Sequence, residues 1–345
     1  MLKPTIPSPK LRKSIERYFQ RIQNNIKTID SHQIDWETII YAQQSHTQYF
    51  IPDLISQITH SHDQKNLNQL LQKRKNQLAA FNTQYLDLIQ ARNNIARQNR
   101  YPDYSAFLLH DLKIKITSRQ IVSLIRQYLI QTTNRVNSIH TLWEITQSQY
   151  QICTLSKLPT INPTTGITLL DPYYPLLSSH TNKINYVSSD KSSTHYNPTT
   201  DIFTISLNER ECSNHAIIGL LHELSHVGFI LAQFQEDRNP WLLGKYVSEI
   251  SVAKTLFLAL PIMSPQLWIL YEQEKRLFLV NILFQLLVYS QPTNQPNLLY
   301  LEALRLAYPK ATFSPETQYF YLFQKNLFSE PLNGLAQAIA LVETI

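Results

Sequence analysis

Glycine is the residue this chain uses least freely, with five in 345 residues against an average share of about 7% in globular proteins. None of them combine into GxGxxG or GxxxxGK, which excludes the glycine cradles of Rossmann and P-loop phosphate sites. The only Asn-Gly or Asp-Gly pair is Asn333-Gly334, so an all-β fold would lack its hairpin turns. Two cysteines, Cys153 and Cys212, form neither CxxC nor a disulfide framework, which fits a reducing compartment. Charge is scarce as well, at 16% of residues with a net charge of +6. The basic residues Lys10, Arg12, Lys13, Arg17, Arg21, Lys73, Arg74 and Lys75 are spread over helical-looking stretches. That pattern reads as solvated helix faces, with no nucleic-acid partner. Long hydrophobic runs are missing too: MLKPTIPSPKLRKS at the N-terminus has no apolar core, and the greasiest stretch, Leu277 to Tyr289, is broken by Asn281 and Gln285. No membrane partner is expected, and the chain reads as cytoplasmic.

What remains is a helical pattern. From Ser8 to about Arg100 apolar residues recur three and four apart, as at Leu70, Leu71, Leu78, Phe81, Tyr85 and Leu88. Pro102 breaks the pattern, Asp103 can cap the next helix, and Thr117 or Ser118 can cap another running to about Leu155. Between Lys157 and Asn208 prolines gather among Ser, Thr and Asn, with short β-like runs at Ile184–Val187 and Ile202–Leu207. Helical periodicity returns from Glu209 to the end. The expected fold class is mostly α, a helical domain with a small β-sheet before the long helix that follows Glu209. The expected organisation is an N-terminal helical region over 1–155 and a second region over 156–345 that carries HELSH, together one continuous unit.

The chemistry concentrates in HELSH, where His222 and His226 stand four apart and Glu223 follows the first. On a helix, i and i+4 share a face, so both imidazoles reach one Zn²⁺ while the glutamate leans toward the metal's water. With eleven histidines and fourteen glutamates, chance yields HExxH in about one chain in seventy of this length and composition. Catalytic zinc takes three protein ligands and leaves a position for water. The metzincin pattern is excluded, because its glycine and third histidine would fall on Phe229 and Ala232. Glu236, Glu249, Glu272 and Glu274 are the acidic candidates. Asn239 and Pro240 read as the start of a second helix in which Leu242, Tyr246, Glu249, Ala253 and Leu256 follow apolar-stripe spacing. A carboxylate inside such a stripe calls for a cation, which selects Glu249.

Several segments together resemble the zinc oligopeptidases of the oligoendopeptidase F and thimet oligopeptidase type. LIQARNNIARQNRYPDYSAFLLHDL (Leu88 to Leu112) is similar to the helix-turn-helix upstream of their catalytic core, and LDPYYPLL (Leu170 to Leu177) to their acidic-aromatic-Pro-Leu loop. HELSH matches the metal helix, and YVSEISVAK (Tyr246 to Lys254) resembles the segment that supplies the third ligand, with Glu249 in that place. QYFYLFQKNLFS (Gln318 to Ser329) resembles the Tyr-rich helix that faces the zinc. The resemblance implies hydrolysis of short peptides, with His222, His226 and Glu249 on Zn²⁺, Glu223 as general base, and Tyr319 or Tyr321 supporting the oxyanion. Two departures stand out. Family members are considerably longer, and they carry an oxyanion histidine near the Tyr-rich helix, whereas no histidine follows His226 here. The alternatives are a related helical carboxypeptidase and a catalytically impaired zinc-containing peptide-binding protein. The β-like run at Ile202–Leu207 is expected to line the cleft, with a peptide pairing along its edge.

Overall fold

The computed structural model describes residues 64–73, 75–111, 114–146, 162–208, 213–243, 245–291, 295–323 and 334–343, with residues 8, 10–15, 17 and 332. Cys153, Cys212 and the sequence pattern over 18–63 lie outside the described residues. The helices in order are α1 (Gln64–Lys73), α2 (Lys75–Gln98), α3 (Tyr104–Asp111), α4 (Ser118–Gln131) and α5 (Pro163–Leu170). Then come the strands β1 (Ile184–Ser189), β2 (Ser193–Asn197) and β3 (Ile202–Asn208). The helices α6 (Ser213–Gln235), α7 (Lys245–Met263), α8 (Pro265–Ser290), α9 (Pro296–Ala307) and α10 (Leu335–Val342) follow. The fold is mostly α with one small sheet before α6, the class the sequence implies. The chain divides into two compact units, one of residues 1–31, 151–268 and 344, the other of 32–150, 269–343 and 345.

In the first unit the sheet order is β1-β3-β2, with β1 parallel and β2 antiparallel to β3. This corrects the expectation for β3: it is the central strand, paired on both sides, and β2 is an edge strand among the described residues. The strand SerThrHisTyrAsn was not visible in the sequence because it lacks apolar alternation, with only Tyr196 buried. Its turn into β3 also uses no glycine. Asn197 Oδ1 accepts from Thr199 N at 2.9 Å and Thr200 N at 3.3 Å, and Asp201 takes the left-handed φ of 56°. The Asp201 carboxylate is fixed by Lys183 Nζ at 2.5 Å and by the Tyr196 hydroxyl at 2.8 Å. Phe203 and Ile205 of β3 are buried, and the strand packs against α6.

The helix α6 is apolar on most of its circumference. Ile217, Leu220, Leu221, Leu224, Val227, Phe229, Leu231 and Phe234 are all buried, as in a core helix. It is also the one helix among the described residues long and apolar enough to cross a membrane, yet 72% of its most apolar window is buried in the fold. It packs on β2, β3, α5 and α7.

In the second unit, Thr117 caps α4 through a capping box with Gln120, and Asp103 Oδ1 accepts from Ala106 N at 2.9 Å at the start of α3. The helix begun at Thr117 ends at Gln131, well before the expected residue 155, because Thr132 leaves helical geometry and turns its hydroxyl onto Tyr128 O. Tyr85, Phe284, Tyr300 and Tyr321 form an aromatic core with ring centroids 4.7 to 6.0 Å apart.

Candidate metal centre

All three candidate ligand residues lie in the first unit, on α6 and α7. Helical spacing sets His222 Nε2 and His226 Nε2 only 3.1 Å apart. The helix α7 begins at Lys245 rather than at Asn239. Asn239 instead caps a short 3-10 turn over Pro240–Leu242, its Oδ1 accepting from Trp241 N at 3.1 Å, and Leu242 is 60% exposed. The expected stripe therefore does not include Leu242. Glu249, however, is buried at 5% exposure. Its Oε2 lies 3.8 Å from His222 Nε2 and its Oε1 3.7 Å from His226 Nε2.

Ligand atoms of these three side chains lie within 4.8 Å of one another, an arrangement that could hold a metal ion. A tetrahedral ion with bonds of about 2.0–2.1 Å holds its ligand atoms about 3.3–3.4 Å apart, so the observed separations are of the right size. Two imidazole nitrogens and a carboxylate can each offer a lone pair to a cation. The group fits a metal ion by its donor set. The other acidic candidates point elsewhere: Glu236 pairs with Arg238 at 2.8 Å, Glu274 with Lys275 at 3.6 Å, and Glu272 with Arg135 in the other unit.

Two contacts around the centre had no signal in the sequence. Thr194 Oγ1 on β2 donates to Glu223 Oε2 at 2.7 Å and lies 3.0 Å from Glu223 O. Glu223 is 5% exposed, so this hydroxyl fixes a buried carboxylate. Ser248 Oγ lies 2.8 Å from His226 Nδ1, the nitrogen turned away from Glu249. Such a partner fixes the tautomer of a ligating histidine and the plane of its ring. Neither residue could be found before β2 and the helix crossing were known.

The two tyrosines lie in the second unit, on a 3-10 helix over Pro315–Phe323. Tyr321 is fully buried in the aromatic core and its hydroxyl donates to Asn82 Oδ1. Burial pushes its pKa well above the usual tyrosine value. Tyr319 is half-buried.

No protein-family model and no curated protein matches the sequence. Solved structures do. PZ peptidase A, determined with an inhibitor, aligns over 83% of this chain with a TM-score of 0.51 and 15% identity. A protein designated oligoendopeptidase F aligns over 84% with a TM-score of 0.50 and 15% identity. The fold is that of these peptidases. The chain spans about three fifths of their length, covering 59% and 60% of the two.

Proposed function

We propose that this protein is a zinc-dependent peptidase that cleaves short peptides in the cytoplasm. The observation that carries the reading is the convergence of His222, His226 and Glu249 beside the buried Glu223, in a fold shared with two peptidases. Zinc, when bound, supplies a water acidified toward neutral pH and a Lewis-acid contact for the scissile carbonyl.

The chain's own residues do the rest. Glu223 takes the proton of the attacking water and returns it to the leaving amine. Thr194 holds its carboxylate in one rotation, so that the proton is received at a fixed place. With Nδ1 donating to Ser248 Oγ, His226 presents the lone pair of Nε2 toward Glu249 and the metal position. Substrate backbone pairs along β2, the edge strand whose Thr194 touches Glu223. The resemblance offers Tyr319 as the oxyanion donor, and the Tyr321 hydroxyl is engaged by Asn82.

The test is to measure zinc in the purified protein and to incubate it with a mixed peptide library, reading the products by mass spectrometry. About one zinc per chain and internal cleavage of short peptides, abolished by a chelator and restored by Zn²⁺, are expected. Products shortened one C-terminal residue at a time would move the reading to a carboxypeptidase. Cleavage that survives complete removal of the metal would overturn it.

A further inference from the structure

One side chain touches both helices that carry the candidate ligands. Tyr174 lies in the segment after α5, 7% exposed. Its ring rests on α6 at Gly228, where a Cβ would meet Tyr174 Cγ at 2.3 Å, Cδ2 at 2.6 Å and Cβ at 2.7 Å. Glycine in mid-helix weakens the helix relative to alanine, so its presence there has a local reason, and this close approach supplies one. At its other end the Tyr174 hydroxyl bonds to α7: it lies 2.8 Å from Ser251 Oγ and accepts from Thr255 Oγ1 at 3.0 Å. Burial raises the phenol's pKa, with the bonds from Ser251 and Thr255 opposing, and the group stays neutral around pH 7.

Gly228 stands two residues after His226, and Ser251 two residues after Glu249. The imidazoles come from α6 and the carboxylate from α7, so the size of the ligand triangle is set by how closely the two helices approach. Sites of this kind need their ligands held within about 0.5 Å. We infer that Tyr174 is a positioning residue which, wedged on Gly228 and bonded to Ser251 and Thr255, sets the spacing of α6 and α7 and thereby the affinity for the metal. The inference rests on the metal-site reading above.

The experiment measures the dissociation constant for Zn²⁺ of the full chain by competition with a chromophoric chelator, alongside the thermal unfolding midpoint of the metal-free protein. Four chains are compared: unchanged, Tyr174→Phe, Gly228→Ala and Glu249→Ala. Tyr174→Phe removes one oxygen and keeps the ring, and should weaken zinc binding at least tenfold, the range seen when partners of metal ligands are removed. Gly228→Ala should weaken it further. If that variant fails to fold, Tyr174→Phe still decides, together with Ser251→Ala/Thr255→Val, which should show the same loss and add little in the Phe background. Zinc affinity of Tyr174→Phe within twofold of the unchanged chain, whatever its unfolding midpoint, overturns the positioning role if Glu249→Ala has lost the metal. Unchanged affinity in Glu249→Ala would overturn the metal site itself.

Discussion

Two buried polar clusters, one in each unit, use the same interactions for opposite ends. In the second unit Arg276 is 3% exposed. Its guanidinium donates to Thr132 Oγ1 and Leu129 O, both at 2.5 Å, and to Ala307 O at 2.7 Å. Two of these acceptors lie at the C-terminal ends of α4 and α9, where a cation is favoured by the helix dipole. Donor meets acceptor, and the charge is satisfied inside the chain. At the α6–α7 centre the groups that converge are ones that can ligate a cation: the His222 and His226 Nε2 atoms stand 3.1 Å apart, with the Glu249 carboxylate within 3.8 Å of both. The first cluster is closed by the protein. The second has the donor set that could hold a metal ion. The contrast is between a cluster in which every donor has a named acceptor and one whose groups are all possible metal ligands.

The comparison is broken most sharply at Glu223. Glu223→Gln leaves the ligand set intact but cannot accept the water's proton, so peptide hydrolysis should fall by about 10²–10⁴. Zinc content and unfolding midpoint should stay as they were. Activity within threefold of the unchanged chain would remove Glu223 from the chemistry. The matching change in the second unit, Arg276→Met, removes three buried hydrogen bonds from a charged donor and should destabilise by about 3–5 kcal/mol, measured by urea unfolding. Zinc affinity should be unaffected. If Arg276→Met instead released zinc, the two clusters would not be separable in the way their geometry implies.

The α6–α7 centre was legible in the sequence because its information is local and helical. HELSH places two imidazoles on one face by spacing alone, and Glu249 stood out as a carboxylate at an apolar position, where the structure buries it. The stripe that picked it was partly wrong, since Leu242 precedes α7 and is exposed. Position 249 is buried all the same, because its burial depends on its own turn of helix. The sheet was half legible. β1 and β3 carry apolar residues and were seen, but β2 is ordered by its pairing with β3 and by the Asn197 and Asp201 turn, neither of which leaves an apolar pattern. Everything that depends on two segments meeting, such as Thr194 on Glu223, Ser248 on His226 and Tyr174 on Gly228, has no local signature.

Thr194 offers a smaller and sharper probe of that non-local layer. Thr194→Val keeps the shape and loses the hydroxyl, leaving the Glu223 carboxylate without this donor. We expect kcat to fall about 10- to 100-fold with KM little changed, because a misoriented base affects proton transfer rather than substrate binding. Thr194→Ser should recover most of the rate. If Val and Ser behave alike, the hydroxyl does not position the base, and Thr194 belongs with the closed clusters rather than with the site.

The smallest effects separate the two tyrosines, which the sequence alone could not tell apart. A Phe substitution removes only the hydroxyl, so ring packing is nearly kept and any loss belongs to the donor. The Tyr321 hydroxyl is spent on Asn82 within a ring cluster, the second unit's own kind of closed pair. Tyr321→Phe should therefore lower stability by about 1 kcal/mol and leave kcat within about twofold. Tyr319 is half-buried on the same 3-10 helix. No histidine follows His226, so on the proposed reading a tyrosine would carry more of the oxyanion's charge than in the resembled family. A single well-placed donor is worth up to about 10²–10³ in rate, and a half-exposed one should give less. Tyr319→Phe is expected to lower kcat about tenfold without changing zinc content or the unfolding midpoint. Should Tyr319→Phe, Tyr321→Phe and the double variant all retain full activity, no tyrosine of this segment serves the oxyanion, and the metal centre acts without it.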